Sequence, residues 1–233
     1  MNWREYNPQN DLNPQDSIGE NHNLLLEHFV NNIDKISVDS DKEFTIISDS
    51  ISILLPKAIE LLNISPDNQS KNRAYGACTA AIIESCDRRN LYLQITDYSQ
   101  EFQNIWMQIT NVTGQLTIEN INDTLNELRE IDNFIINSDL SDSEKTTIFQ
   151  VNSIARYSSA YWVSEKDNVN SDWIEISEER GGDFMQKDPP NWVYTDIKAA
   201  YIGAWFTGNP LAALGAAAVS SAVDAAIDYY NEK

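Results

Sequence analysis

Thr117-Ile-Glu-Asn-Ile-Asn-Asp-Thr-Leu-Asn-Glu-Leu-Arg-Glu-Ile-Asp-Asn-Phe-Ile-Ile-Asn137 is the stretch that decides the fold class. Ile118, Ile121, Leu125, Leu128 and Ile135 return at helical intervals, with polar residues between most of them. That period collects them on one side of an α-helix and would scatter them over both faces of a strand. The spacing predicts a helix over about 117–137. Just beyond it, Ser141-x-x-Glu144 has the spacing of a capping box. It opens another helix that carries Ile148, Val151, Ile154 and Trp162.

Reading back toward the N-terminus gives four more helices. Phe102, Ile105, Trp106 and Ile109 share a face over about 98–111, and Gly114 ends that run. Tyr75, Cys78, Ile82 and Cys86 align over about 71–88, and Ile47, Ile51, Leu54, Ala58 and Leu61 over about 43–62. Pro56 is expected to kink or split the latter. A first helix starts near Ser17, where Ser17-x-x-Glu20 repeats the capping-box spacing, and continues through Ile18, His22, Leu25, Phe29 and Ile33. Strand signals are confined to Leu91–Thr96 and Trp173–Ser177. The expected fold is mainly α, a bundle of about six helices with a C-terminal helical hairpin. Residues 1–14 form a polar arm and 15–163 a helical domain. Residues 164–191, with Gly181-Gly182 and Pro189-Pro190, form an acidic polar loop, and 192–233 the hairpin.

The 233 residues are 42% hydrophobic and 10% aromatic, enough for a substantial core. The formal charge is −20, with only 16 Lys and Arg against 36 Asp and Glu. Such a surface excludes a nucleic-acid binder that works through a general basic face, and docking on anionic lipid by charge. Between Asn90 and Leu128 there is no Lys or Arg. The acid is spread over helix surfaces and reads as a solvated exterior. The N-terminus shows no basic segment followed by an apolar one, so the expectation is a cytoplasmic protein or one exported without a leader.

Catalytic, cofactor and metal signatures are missing. The two histidines, His22 and His28, are six apart and point to different sides of a helix. His22 falls on the apolar stripe and reads as a packed, hydrogen-bonded histidine. Cys78 and Cys86, eight apart on one helix, stand about 12 Å apart, too far for a disulfide, and read as buried thiols. Asn168-x-Asn170-x-Asp172, with Glu179, imitates the offsets of a calcium loop. It lacks the first Asp, and Trp173 occupies the position that needs Gly. No metal, cofactor or catalytic residue is assigned on this basis.

The segment with the most distinctive composition is C-terminal. From Ala199 to Val223 there are 25 residues without a charge. The pattern gives helices over about 194–207 and 211–230, joined at Gly208-Asn209-Pro210. Ala213, Ala217, Ser221 and Ala225 recur every four residues, and Ala199 and Gly203 give the preceding helix the same feature. Small-residue faces let backbones approach closely. This is the candidate interaction face. The length would allow a membrane span, but Asn209-Pro210 interrupts it and Asp224 and Asp228 follow, so a constitutive span is not expected.

Asn13-Pro14-Gln-Asp16-Ser-Ile-Gly19-Glu-Asn-His22-Asn23 resembles the N-P-x-D-x-x-G-x-x-H-N signature of a family of uncharacterised bacterial proteins. Ser158-Ser-Ala-Tyr161-Trp162 and a small-residue C-terminal segment preceded by Asp196 are similar to that family's other elements. The resemblance implies a structural role for Asn13, Pro14, Asp16, Gly19, His22 and Asn23. It implies no activity. Many members look secreted or lipid-anchored, and this chain departs from them in showing no leader.

The functional expectation is a non-catalytic helical protein that engages another protein, or a second copy of itself, through the hairpin, as an assembly, cargo or effector component. The alternative is a membrane-active toxin that inserts the hairpin. A hydrolase using carboxylates without a recognisable motif is the third reading.

Overall fold

The computed structural model describes residues 2–35, 43–86, 98–179, 189–207 and 209–227. Among them, regular structure is entirely helical: α1 Asp16–Val30, α2 Glu43–Leu61, α3 Asn68–Cys86, α4 Gln100–Thr113, α5 Ile121–Asn137, α6 Asp142–Asp167, α7 Asp172–Glu179, α8 Pro189–Thr207 and α9 Pro210–Ile227. Short 3-10 turns occupy Trp3–Tyr6 and Ile33–Lys35.

Two helices are enclosed by the rest. In α6 every side chain from Thr147 to Ser164 is buried. In α9 every residue from Leu211 to Val223 is buried. Helix α8 lies against both; α1, α4 and α5 cover α6, and α1, α2 and α3 cover α9. The hairpin is therefore an inner part of the bundle. A helix apolar or small all round needs such a sheath, whereas α5, with one sharp stripe, serves as an outer wall.

Two glycines set the closest approaches. A Cβ on Gly203 would stand 2.8 Å from the Ala213 Cα and closer still to the Ala212 carbonyl, so α8 and α9 meet backbone to backbone. A Cβ on Gly19 would lie 2.5 Å from the Ser153 carbonyl oxygen, which fixes the α1–α6 crossing.

The Ser141 capping box forms as expected: Ser141 Oγ accepts from the Glu144 amide, and Glu144 Oε2 accepts from the Ser141 amide at 3.0 Å. The Ser17 box does not form. Helix α1 begins one residue earlier, at Asp16, and the Asp16 carboxylate is drawn inward to Arg156. Helix α2 runs on through Pro56. Pro56 and Ser52, whose carbonyl it leaves without an amide partner, are both exposed, so water can bond that carbonyl. Tyr75 is 42% exposed; Ala74, Ala77 and Cys78 make the buried face of α3 instead. Ile118 precedes α5 and is exposed.

The segment expected as a loop over 164–191 holds the end of α6, helix α7 and the start of α8. The alternation at Trp173–Ser177 belongs to a helix: Trp173 and Ile176, three apart, both turn inward. The same helix closes the calcium-like string. Asn168 caps α6, and Asp172 already begins α7. Pro189-Pro190, read as part of the loop, start α8, where a missing amide costs nothing. The strand expected at Leu91–Thr96 and the side chains of Ile47, Ile82, Cys86 and Ala225 lie outside the described residues.

Candidate functional site

Helix α8 carries Asp196 into the interior, where it is 0% exposed. Its Oδ2 accepts from Ser158 Oγ at 2.6 Å and from Trp162 Nε1 at 3.0 Å, both on α6. Its Oδ1 accepts from Ser221 Oγ on α9 and lies 3.3 Å from His22 Nε2 on α1. Three donors from two helices converge on this carboxylate, His22 of a third helix stands beside it, and none of the five side chains reaches water.

The imidazole is oriented from behind. Asn23 Nδ2 donates to the Tyr157 carbonyl at 2.9 Å, which turns Asn23 Oδ1 toward His22 Nδ1 at 3.1 Å. Nδ1 must then be the donor. Nε2 stands 3.3 Å from Asp196 Oδ1 without making a hydrogen bond. Trp162 in turn stacks on Trp192 of α8, with ring centroids 4.9 Å apart.

A second polar cluster lies one turn back along α6. Arg156, 0% exposed, donates to Asp16 Oδ1 at 2.6 Å and to the Pro8 carbonyl, and stands 3.2 Å from Asp132 Oδ2. Asp132 also accepts from Asn10, Asn13 and Asn152 at 2.8–2.9 Å. Burial pushes the Asp132 carboxyl above its usual range, against the pull of Arg156. The Tyr157 phenol, bonded to Asp16, is raised by burial and by that carboxylate. Tyr157 joins the clusters through its backbone bond with Asn23.

The residues singled out in the N-terminal string thus share a surface. Asn13, Asp16, Gly19 and Asn23 bond to α6, and His22 faces Asp196 of α8; Pro14 is exposed at the start of α1. Ala199, Gly203, Ala213, Ala217 and Ser221, read as an interaction face, are covered by other helices of this chain. The close approach such faces permit is used here between α8 and α9. Cys78 is buried against α9, and burial pushes its thiol up to about 12.

The sequence reading missed Asp132, Asn152 and Arg156, and it noted Ser158 and Asp196 without their partners. Asp132 carried a legible signal. It stands four residues after Leu128 and three before Ile135, squarely on the apolar stripe of α5. Asp196 likewise sits among Trp192, Val193, Ile197 and Ala200.

Chemically, the Asp196 node holds helices together. His22, Asp196 and Ser221 have the group types of a hydrolytic triad. The serine hydroxyl, however, faces the carboxylate instead of the imidazole, and no substrate can reach it. Among the described residues no group of three His, Cys, Asp or Glu side chains is placed to hold a metal, and no helix is long and apolar enough to cross a membrane. Comparison of the chain with protein-family models, curated proteins and solved structures finds no match.

Proposed function

We propose that the protein carries its C-terminal hairpin, α8–α9, as the element that engages another protein, and that it keeps the hairpin sheathed until then. The observation that carries this reading is the pairing of a small-residue helix, uncharged and buried from Leu211 to Val223, with a single buried carboxylate that ties its hairpin to the sheath. Small side chains bury little apolar area each, so unsheathing α9 costs less per residue than unsheathing a Leu-rich helix. A buried polar node adds little net stability against an apolar equivalent but favours one arrangement over others. Together they describe a part held in a definite place by modest energy. Once exposed, the Ala and Ser faces of α9 offer a partner helix the same close approach that α8 makes now.

The test is a reversible lock. A Cβ at Gly215 would stand 3.1 Å from Cys78 Sγ, within reach of an S–S bond of about 2.05 Å. Gly215→Cys with Cys86→Ser should therefore oxidise to a bridge between α9 and α3. Protein captured from host extract should be recovered by the reduced variant and lost on oxidation. Capture that is indifferent to the lock would reject the reading. Leakage of lipid vesicles under the reduced form alone, with no protein captured, would transfer the role of the hairpin to a membrane.

A further inference from the structure

His22 leaves one nitrogen of its ring without a hydrogen bond, at a place that water does not reach: the residue is 0% exposed. Asn23 fixes the orientation of the ring. Its amide donates to the Tyr157 carbonyl at 2.9 Å and so presents its oxygen to His22 Nδ1 at 3.1 Å. Nδ1 therefore carries a proton, and a neutral ring has a bare lone pair at Nε2. That nitrogen stands 3.3 Å from Asp196 Oδ1. With the ring neutral, two acceptors face each other across this gap, and an uncompensated negative charge stays in the interior. One proton removes both costs. Oδ1 already accepts from Ser221, whereas Nε2 is unused, so Nε2 is the place for it. The contact then joins opposite charges, and the pair is neutral as a whole.

The surroundings concentrate the effect on this pair. Helix α9 has no charged residue from Leu211 to Val223. Helix α2 turns Ser50, Ile51, Leu54 and Ala58 inward and keeps Asp49, Lys57 and Glu60 nearer water. The buried charge of α6, Arg156, is bonded to Asp16 and stands beside Asp132; the Tyr157 phenol is also bonded to Asp16, and the Tyr161 phenol to Trp173. On α1 itself, Glu20 is exposed, and Asp16, Glu27 and His28 are half-buried. Asp196 is the charge that α8 buries. Its hydrogen bonds from Ser158, Trp162 and Ser221 hold α8 to α6 and α9 whether or not the ring is charged. Its tie to α1, a wall of the sheath over α9, depends on the proton.

We infer that this node is a proton-operated catch: a proton at His22 Nε2 ties α1 to Asp196 of α8, and its loss loosens the α8–α9 hairpin. The catch acts on the sheathed hairpin proposed above and rests on that reading. A contribution that needs a charged ring is present at acid pH and is lost as pH rises. Histidine is the side chain that ordinarily changes charge between about pH 5 and pH 8. Long-range proton–nitrogen NMR of the full chain reads both imidazoles across that range. The His22 ring should keep Nδ1–H throughout and gain its second proton at Nε2 on the acid side. Amide exchange of α9, corrected for intrinsic rates, is then compared at the two ends of the range. The opening constant of α9 should be about tenfold smaller at the acid end, as gain of a charge-assisted contact implies. His28→Gln should keep this dependence. His22→Gln should remove it, and so should Asp196→Asn, which keeps the ring but takes away its charge partner. A neutral His22 ring protonated at Nε2, a ring in one protonation state across the range, or α9 opening that is equal or easier in acid would each overturn the proposal. Opening of α9 only with the whole fold would instead overturn the sheathed-hairpin reading. The effect of the proton is then read from the global unfolding constant, where its absence overturns the catch as well.

Discussion

Asp196→Asn changes one atom of the buried node, and its cost can be worked out from the geometry. Ser158 and Trp162 donate to Oδ2, while Ser221 and His22 address Oδ1. With the amide nitrogen in place of Oδ2, Ser158 and Trp162 face a donor; in place of Oδ1, Ser221 does. Either serine can escape by turning its hydroxyl to the carbonyl four residues back, as Ser159 already does to Ala155 at 2.7 Å. Trp162 Nε1 sits on a ring packed in place and cannot. Loss of charge assistance at the remaining bonds, with a buried N–H left without an acceptor where the nitrogen replaces Oδ2, costs about 1–3 kcal/mol. That is a large share of a typical domain stability of about 5–15 kcal/mol. Urea unfolding at neutral pH, followed by tryptophan fluorescence and far-ultraviolet circular dichroism, measures it. Glu127→Gln serves as the control for removing a charge. A loss below about 0.5 kcal/mol would refute the claim that the three donors depend on this carboxylate.

Other consequences concern the crossings and caps. Gly203→Val should cost about 3 kcal/mol or more in the same assay, because its new Cβ meets backbone atoms of α9 that cannot turn away. In a Cys86→Ser background, Cys78 should react slowly with a thiol reagent in the native state and fast in denaturant, since burial holds its thiol at about 12. Burial pushes the Glu144 carboxyl up, but the amides and hydroxyls of Ser99 and Ser141 together outweigh this and hold it at about 2. A lowered carboxyl stabilises the fold above the unfolded value near 4.5 and loses that contribution as pH falls toward 2. Glu144→Gln should therefore lower stability by about 1 kcal/mol at pH 7, where denaturation curves of the two proteins separate, and by little near pH 2, where they should converge.

The parts of the fold written as periodicity were legible, and the parts written as partnership were not. The stripes of α4 and α5 announced themselves because each helix has a side for water and a side for the core, and α6 announced its start through its capping box. Helix α7 escaped because eight residues give only two turns, and Ile174-Glu175-Ile176-Ser177 alternates as a strand would. The small-residue pattern of α8 and α9 revealed that two backbones meet closely; it could not reveal that they meet each other. His22 was legible as a buried, bonded histidine because its neighbours on the stripe are apolar. Its partner lies 174 positions away in the chain, and only the three-dimensional packing joins them. Asp132 and Asp196 show what the sequence did offer. An acidic residue on an apolar stripe signals a buried pair, although the identity of the pair stays hidden.

The central claim is that α8–α9 is a separable part held in its sheath by the Asp196 node. Native-state hydrogen exchange, read amide by amide in low urea, tests it most directly. The account predicts that the α9 amides open together, at a free energy clearly below that of α5 and α6, and that Asp196→Asn lowers the opening energy of α9 while leaving α5 nearly unchanged. If the amides of α9 exchange only through global unfolding, with α5 and α6 falling equally in the variant, the hairpin is ordinary core and the account is wrong.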